Sequence, residues 1–320
     1  MNFTELPNGS YEGYVLVKSV EKKTAKTGKD YLDFVLSDKT GEIVAKMWNN
    51  VPADMPFKEN SIIKVRGKLG EYNNAPQFTV DMARNIDERD DVDINDFVAS
   101  SEYTGEYMFD TLRGIVEKFK DEDLKKITLA IMDEYREDLL VWPAAFRLHH
   151  AIRGGLLYHT LSIVKISEYI AALYPTVDRE LLISGAILHD VAKIFELTLN
   201  DAGLVEKYSL EGRLIGHLVK GAMLVEKFGT ELNIDRMTVI LLEHMLISHH
   251  GEPEFGAAIR PLFLEAEILS SLDSLDAKIY EIITATQDIE VGEFSARQWA
   301  LDNRHLLNHG RKPIEPIANL

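Results

Sequence analysis

The sequence contains no cysteine. Disulfides and thiolate metal sites are therefore excluded, any metal must be held by His, Asp and Glu, and the composition suits a reducing cytosol. Cationic charge is short as well: 35 Lys and Arg stand against 52 Asp and Glu, a net charge of −17 over 320 residues. No apolar run approaches the roughly 20 residues of a membrane span, so no membrane partner is expected. The opening "MNFTELPNGS" lacks a basic stretch followed by an apolar one. No secretory leader is expected, and the chain reads as cytoplasmic. Also missing are a P-loop glycine pattern, a dinucleotide-binding fingerprint and a Ser-His-Asp order; the glycines of "RGGLLYH" are too few and wrongly placed.

What remains is an ordinary globular composition, 46% hydrophobic and 27% charged, long enough for two domains. The acidity is unevenly spread. Residues 1–90 hold 13 Lys and Arg against 14 Asp and Glu, a net −1, which leaves −16 for the rest. Lys18, Lys22, Lys23, Lys26 and Lys29 form a local basic patch of the kind that follows a phosphate backbone, although solvated turn lysines have the same appearance.

Hydrophobic period divides the chain. "GYVLVKSVEKK", "DYLDFVLSD", "GEIVAKMWN", "SIIKVRGKLGEY" and "PQFTVDMARNI" alternate and are rich in Val, Ile, Tyr and Phe, which predicts five strands. "DKTG" (38–41) predicts a hairpin turn, and "VPADMPFKEN" (51–60) a helical turn before the fourth strand. This order resembles an OB-fold barrel over residues 1–87, a fold that often binds single strands. Tyr31, Phe34, Trp48 and Phe78 are its candidate base-stacking residues, with Lys22 and Lys23 as backbone contacts; most aromatics in so small a barrel are core. Residues 88–104 are acidic and turn-rich and read as a linker.

From 105 to 300 the period is helical, with segments at 106–119, 121–140, 143–151, 154–173, 179–197, 211–229, 234–250 and 259–285, and 301–320 as a polar tail. The expected architecture is thus an all-β five-stranded barrel followed by an all-α bundle. Asp178 is a candidate N-cap and Gly229 a candidate helix stop.

Five helical segments place chemistry on apolar faces. His159 shares a stripe with Ile163, Ile166 and Ile170; His217 with Leu214, Gly221 and Leu224; His249 with Leu242, Met245 and Leu246; Asp273 with Leu262, Ala266 and Leu269. His189 and Asp190 follow Leu182, Gly185, Ala186 and Ile187 and, about 100° apart on a helix, both lean inward. Each histidine alone reads as a hydrogen-bonded core residue. Together they differ. A core holding this many imidazoles and two carboxylates needs a compensating charge, and a divalent cation supplies it. Such N and O donors suit Mn²⁺, Fe²⁺, Co²⁺, Zn²⁺ or Mg²⁺.

"HHAIRGGLLYHTLSI", "AILHDVAKI", "EGRLIGHLVKG", "LISHHGEPEFG" and "EILSSLDSLDAKI" resemble, in order and spacing, the motifs of the HD superfamily of metal-dependent phosphohydrolases over residues 149–280. With a barrel ahead of the HD domain, nearly the whole chain resembles the YhaM-type bacterial 3′-to-5′ exoribonucleases. That resemblance implies one metal on His159, His189, Asp190 and Asp273, and a second on His217, His249 and His250 with Asp190 shared. Only one of His249 and His250 need face the cluster, and His244 competes with them. Lys193 and Arg153 would contact phosphate oxygens, Asp190 would be catalytic as well as ligating, and His149 and His150 are weaker candidates. His305 and His309 read as structural. No Gly-Tyr-Pro follows "HHGEPEFG", which argues against cyclic-dinucleotide phosphodiesterases.

The implied activity is metal-dependent hydrolysis of single-stranded RNA, with RNA-versus-DNA preference left open by the sequence, by water activated between two divalent ions, Mn²⁺ foremost. The alternative is a phosphohydrolase of small nucleotides with a regulatory barrel. A barrel with exposed edges can also mediate homo-oligomer assembly.

Overall fold

In a computed structural model of the chain, the described residues are 6–311 except 39–40, 53, 74, 88, 91, 93–95, 98–99, 146–149, 151 and 201–202. They divide into two compact units, Met1–Ser100 with Leu199–Leu204, and Ser101–Thr198 with Val205–Leu320.

In the first unit, β1 (Gly9–Thr24), β2 (Asp30–Asp38), β3 (Gly41–Met47), β4 (Ile62–Tyr72) and β5 (Ala75–Asn85) close into a barrel in the order β1-β2-β3-β5-β4. The β3–β5 pairing is parallel, the others antiparallel, and β1 closes on β4, which is the OB-fold topology. Alternation explains the packing. On β2, Leu32, Phe34 and Leu36 point inward at 1% exposure or less, while Tyr31, Asp33 and Val35 are half-buried on the outside.

Phe34 (1% exposed) and Phe78 (0%) are therefore core residues, which corrects their assignment to a stacking surface. Leu32 and Leu36 fix Phe34 on the inner face, and a one-residue register slip would turn that whole face outward. Residues 51–60 form no helical turn among those described, because Pro52 and Pro56 remove backbone donors; Phe57 from this segment instead packs edge-on against Phe34 with centroids 5.7 Å apart. Lys39 and Thr40 of the expected hairpin turn lie outside the described residues. At the start of the expected linker, Asp90 belongs to the barrel, taking a two-pronged hydrogen bond from Arg84 and another from the Tyr14 hydroxyl.

The second unit contains α1 (Gly105–Val116), α2 (Glu122–Glu134), α3 (Arg136–Leu139), α4 (Gly155–Leu173), α5 (Arg179–Leu188), α6 (Lys193–Glu196), α7 (Leu210–Leu214), α8 (Gly216–Glu231), α9 (Arg236–Ser248) and α10 (Leu264–Thr286). Thr104, Asp121, Asp178 and Asp235 cap helices by accepting from backbone N–H groups of the first turn. One apolar core runs through the unit, from Phe109 and Ile131 to Leu182, Leu246 and Leu269.

Four expectations give way. Pro143, Ala144 and Ala145 are not helical, and His150 has a left-handed φ of 53°, so 143–151 is a turn at its described residues. The expected helix 179–197 breaks after Leu188. The region expected to be all-α also contains a short hairpin, β6 (Leu197–Leu199) with β7 (Val205–Tyr208). Gly229 does not end its helix; it lies inside α8, where a Cβ would stand 2.5 Å from Val239 Cγ2 of α9, so its role is close helix packing. No helix among the described residues is long and apolar enough to cross a membrane.

Candidate metal centre

His159 lies in the second turn of α4, His217 in the first turn of α8, His249 at the C-terminal cap of α9 with His250 next, and Asp273 midway along α10. His189 caps α5, and Asp190 lies in the tight turn that follows, in which Val191 N–H donates to Leu188 and Lys193 N–H to Asp190, each three residues back. The pair therefore occupies a helix break rather than the helix interior predicted above. Leu214 and Leu262, assigned to apolar stripes, are 76% and 70% exposed, because α7 ends before α8 begins and α10 starts only at Leu264.

The side chains nevertheless converge. His159 Nε2 is 3.1 Å from Asp273 Oδ1, 3.3 Å from His189 Nε2 and 3.8 Å from Asp190 Oδ2. Asp190 Oδ1 is 3.3 Å from His217 Nε2 and 3.7 Å from His249 Nε2. His217, His249 and His250 offer ring nitrogens all within 4.8 Å of one another, as do donor atoms of His159, His189 and Asp190. His159, His189, Asp190 and His249 are at most 1% exposed.

The Nδ1 atoms are tied off. Those of His189 and His249 lie 2.8 Å from the carbonyls of Ala186 and Leu246, three residues back on their own helices. Those of His159 and His217 meet carboxylates, Asp276 Oδ2 at 2.7 Å and Glu196 Oε2 at 2.5 Å, and His250 Nδ1 meets the Phe255 carbonyl at 2.9 Å. With Nδ1–H donating outward, each imidazole in its neutral form presents the Nε2 lone pair. Lys193 Nζ donates to Asp190 Oδ2 at 2.6 Å, which leaves Oδ1 for the cluster.

Asp190 Oδ1, His217 Nε2 and His249 Nε2 are buried without a hydrogen-bond partner. Orphaned buried acceptors are costly, and three of them facing one another need a shared positive charge. Two donors on one divalent ion at about 2.1 Å stand roughly 3–3.5 Å apart, close to the 3.3–3.8 Å that separates the Asp190 oxygens from the surrounding imidazole nitrogens. The donor set fits a divalent cation.

Electrostatics agree. Burial raises the Asp190 carboxyl, but Lys193 and His189 outweigh it and hold it well below the usual range. Burial likewise opposes a charged His159, yet hydrogen bonds to Asp273 and Asp276 win and push its pKa up to about 9. His249 goes the other way: burial, then His189 and His250, push it far down, so it stays neutral.

The structure thus gathers His159, His189, Asp190, His217, His249, His250 and Asp273. It does not bring in His244, whose Nε2 accepts from the Leu262 backbone, nor His305, bonded through Nδ1 to the Ser295 carbonyl. The Arg153 guanidinium makes no hydrogen bond or ion pair among the described residues, and Lys193 is committed to Asp190. His149 lies outside the described residues; His150 donates its Nε2 side to Asp276 at 2.9 Å. Sequence reasoning missed Asp276, Ser162, whose hydroxyl donates to Asp276 Oδ1, and Glu196. Asp276 was discoverable, being three residues after Asp273 on the same helical face; Glu196 was not, because the turn at 189–192 breaks the period.

Residues 156–278 match the HD domain family. Fold and site together define a metal-dependent hydrolase whose chain carries an OB-fold barrel and then a helical unit with the candidate divalent-metal centre. The 3′-5′ exoribonuclease YhaM of Listeria innocua is 36% identical over 298 residues, covering 93% of this chain and 94% of its own. Its counterpart in Bacillus licheniformis is 35% identical over 292 residues, covering 91% and 92%. The chain belongs to this family of YhaM exoribonucleases. Among solved structures, the second OB-fold domain of replication protein A from Methanococcus maripaludis aligns with 29% of this chain and 98% of its own, at 24% identity and a TM-score of 0.23.

Proposed function

We propose that this metal-dependent 3′-5′ exoribonuclease removes nucleotides from the ends of single-stranded RNA, with single-stranded DNA as a secondary substrate, in the reducing cytosol that its lack of cysteine suits. The observation that carries the reading is the convergence of three orphaned buried atoms, Asp190 Oδ1, His217 Nε2 and His249 Nε2, beside a second imidazole and carboxylate group. One divalent ion, Mn²⁺ foremost, would be held by His159, His189, Asp190 and Asp273. A second would be held by His217, His249 and His250 with Asp190 shared. When bound, such a pair lowers the pKa of water and neutralises charge on phosphate oxygens.

The chain's own residues supply the rest. Asp276, Glu196 and the carbonyls of Ala186 and Leu246 fix the tautomers and orientation of their imidazoles. Lys193 holds Asp190 ionised and in one rotamer. Asp273, whose side chain is 16% exposed against 2% for Asp190, lies at the margin where solvent and substrate enter.

On the barrel, Tyr31 and Trp48 stack with centroids 4.4 Å apart, and Lys46 Nζ lies 5.3 Å and 5.6 Å from the two rings. Lys23 is the register partner of Tyr31 across β1–β2. Trp48 is 42% exposed, so this face offers bases a platform and phosphates a cation. Lys22 and Lys23 are at present paired with Asp30 and Asp33. Self-association belongs to the same proposal, supported by Leu275, Ile279, Ile282 and Ile283, exposed along one face of α10.

The test uses end-labelled single-stranded RNA and free nucleotides with Mn²⁺. Stepwise shortening from the 3′ end, abolished by chelation and by H189A/D190A with helical content retained, is expected. Hydrolysis of nucleotides alone would instead favour the small-nucleotide reading, and undiminished cleavage by the double variant would refute the site.

A further inference from the structure

Residues 251–263 form a strap that runs back along the C-terminal half of α9. Three hydrogen bonds pin it at positions 250, 247 and 244: Phe255 carbonyl to His250 Nδ1 at 2.9 Å, Ala258 N–H to the Ile247 carbonyl at 3.0 Å, and Leu262 N–H to His244 Nε2 at 3.0 Å. Arg260 and Glu252 close its base with an ion pair at 2.6 Å. At its crown, Pro253 opens a single 3-10 turn and Gly256, at φ 101°, ends it. A Cβ at Gly256 would lie 3.6 Å from His250 Nδ1, so the turn rests against the imidazole.

This strap carries a large apolar side chain into water beside the site. Phe255 is 73% exposed, and no aromatic ring or cation among the described residues lies against its ring. A solvated phenylalanine on a rigid, well-anchored turn contributes nothing to the core. Its position has a different consequence. The backbone carbonyl of Phe255 accepts from the His250 ring, whose centroid lies 5.1 Å from that of His217 and 4.5 Å from that of His249, so one imidazole separates the Phe255 main chain from the cluster. The same hydrogen bond therefore orients the His250 ring and anchors the main chain that carries the phenyl group.

We propose that Phe255 is a nucleobase-stacking residue that seats a base next to the scissile phosphodiester. This rests on the reading of the centre as a single-strand exoribonuclease. A nuclease that removes one nucleotide after another must hold each new end in register without reading its sequence. A flat aromatic face does so, because every base has a π-face to lay on it. The proposal makes Phe255 a determinant of which phosphodiester reaches the metals, with no part in the chemistry itself.

The experiment compares wild-type enzyme, F255A and F255W on three single-stranded RNAs of one length: a normal one, one with an abasic 3′-terminal ribose, and one abasic at the penultimate position. Single-turnover cleavage with Mn²⁺ is the readout. F255A is expected to cleave normal RNA about ten- to a hundredfold less efficiently, with F255W restoring the rate. On one abasic substrate wild type and F255A should become equal, because the base that stacks is gone. Equal losses by F255A on all three RNAs would show a merely structural role and overturn the proposal, as would no loss on normal RNA. If wild-type enzyme cleaves none of the three, the exoribonuclease reading itself fails and takes this proposal with it; if it cleaves all three and only the Phe255 comparison is flat, that reading stands and this one falls.

Discussion

The two units treat charge in opposite ways. The barrel keeps its interior apolar, from Val15 and Phe34 to Phe78 and Val80, and leaves its ion pairs, such as Lys22–Asp30 and Lys23–Asp33, on the outside. The helical unit packs three imidazoles and a carboxylate, those of His159, His189, His249 and Asp190, at 0–1% exposure into its core. Exposed pairs cost little to form and so say little about function. Buried charges are expensive unless compensated, so their presence needs an explanation, and the explanation is chemistry.

The largest effect should come from the centre of that contrast. Asp190→Ala is expected to reduce Mn²⁺-dependent RNA hydrolysis by at least about a thousandfold, with circular dichroism unchanged. Residual activity within tenfold of wild type would mean that the buried carboxylate is structural.

Next, two aromatics of one barrel should behave as opposites. Phe34→Ala should lose about 3–5 kcal/mol of stability in denaturant titration, as expected for a core phenylalanine. Trp48→Ala should leave stability nearly intact and weaken oligonucleotide binding several-fold, measured by anisotropy. The same result for both would erase the distinction between inner and outer face.

Asp276→Asn should weaken metal binding about 10–100-fold, by loosening His159 rather than by removing a ligand, as chelator competition would show.

A smaller effect concerns protons. His159 has its pKa pushed up to about 9, so without metal it carries a proton below that pH. A metal ligand must be neutral, so loading near pH 8 should release this proton, and apparent affinity should rise with pH and level off above about 9. His249, held neutral, has none to give. Calorimetry in buffers of different ionisation enthalpy counts the release; a count of zero at pH 8 would contradict the carboxylate grip on His159.

Smallest of all, Lys23→Ala should leave the melting temperature unchanged, since its pairs with Glu21 and the half-buried Asp33 lie on the outer face of the barrel, where the lysine is itself 45% exposed. Its effect should appear only in the salt dependence of RNA binding.

Much of this was readable from the chain. The strands followed from alternation, and the histidines that converge in the helical unit from their recurrence on apolar faces. Parity along β2 already separates Tyr31 from Phe34: an odd number of positions apart on one strand, they cannot share a face. What could not be read lay where periodicity stops. The turn after Leu188 moves Asp190 out of helical register, and Glu196 reaches His217 only because the chain tightens there. The 51–60 segment failed as a helix because its prolines outweigh its length.

The tight turn between Leu188 and Lys193 fixes more than two side-chain directions. Lys193 grips Asp190 from three residues downstream, so the spacing is itself part of the site. Inserting one residue would swing the ammonium away and strand the carboxylate. In a library of random single-residue insertions, functional clones should be missing across 188–193 and common at 25–29, the exposed connection between the first two strands.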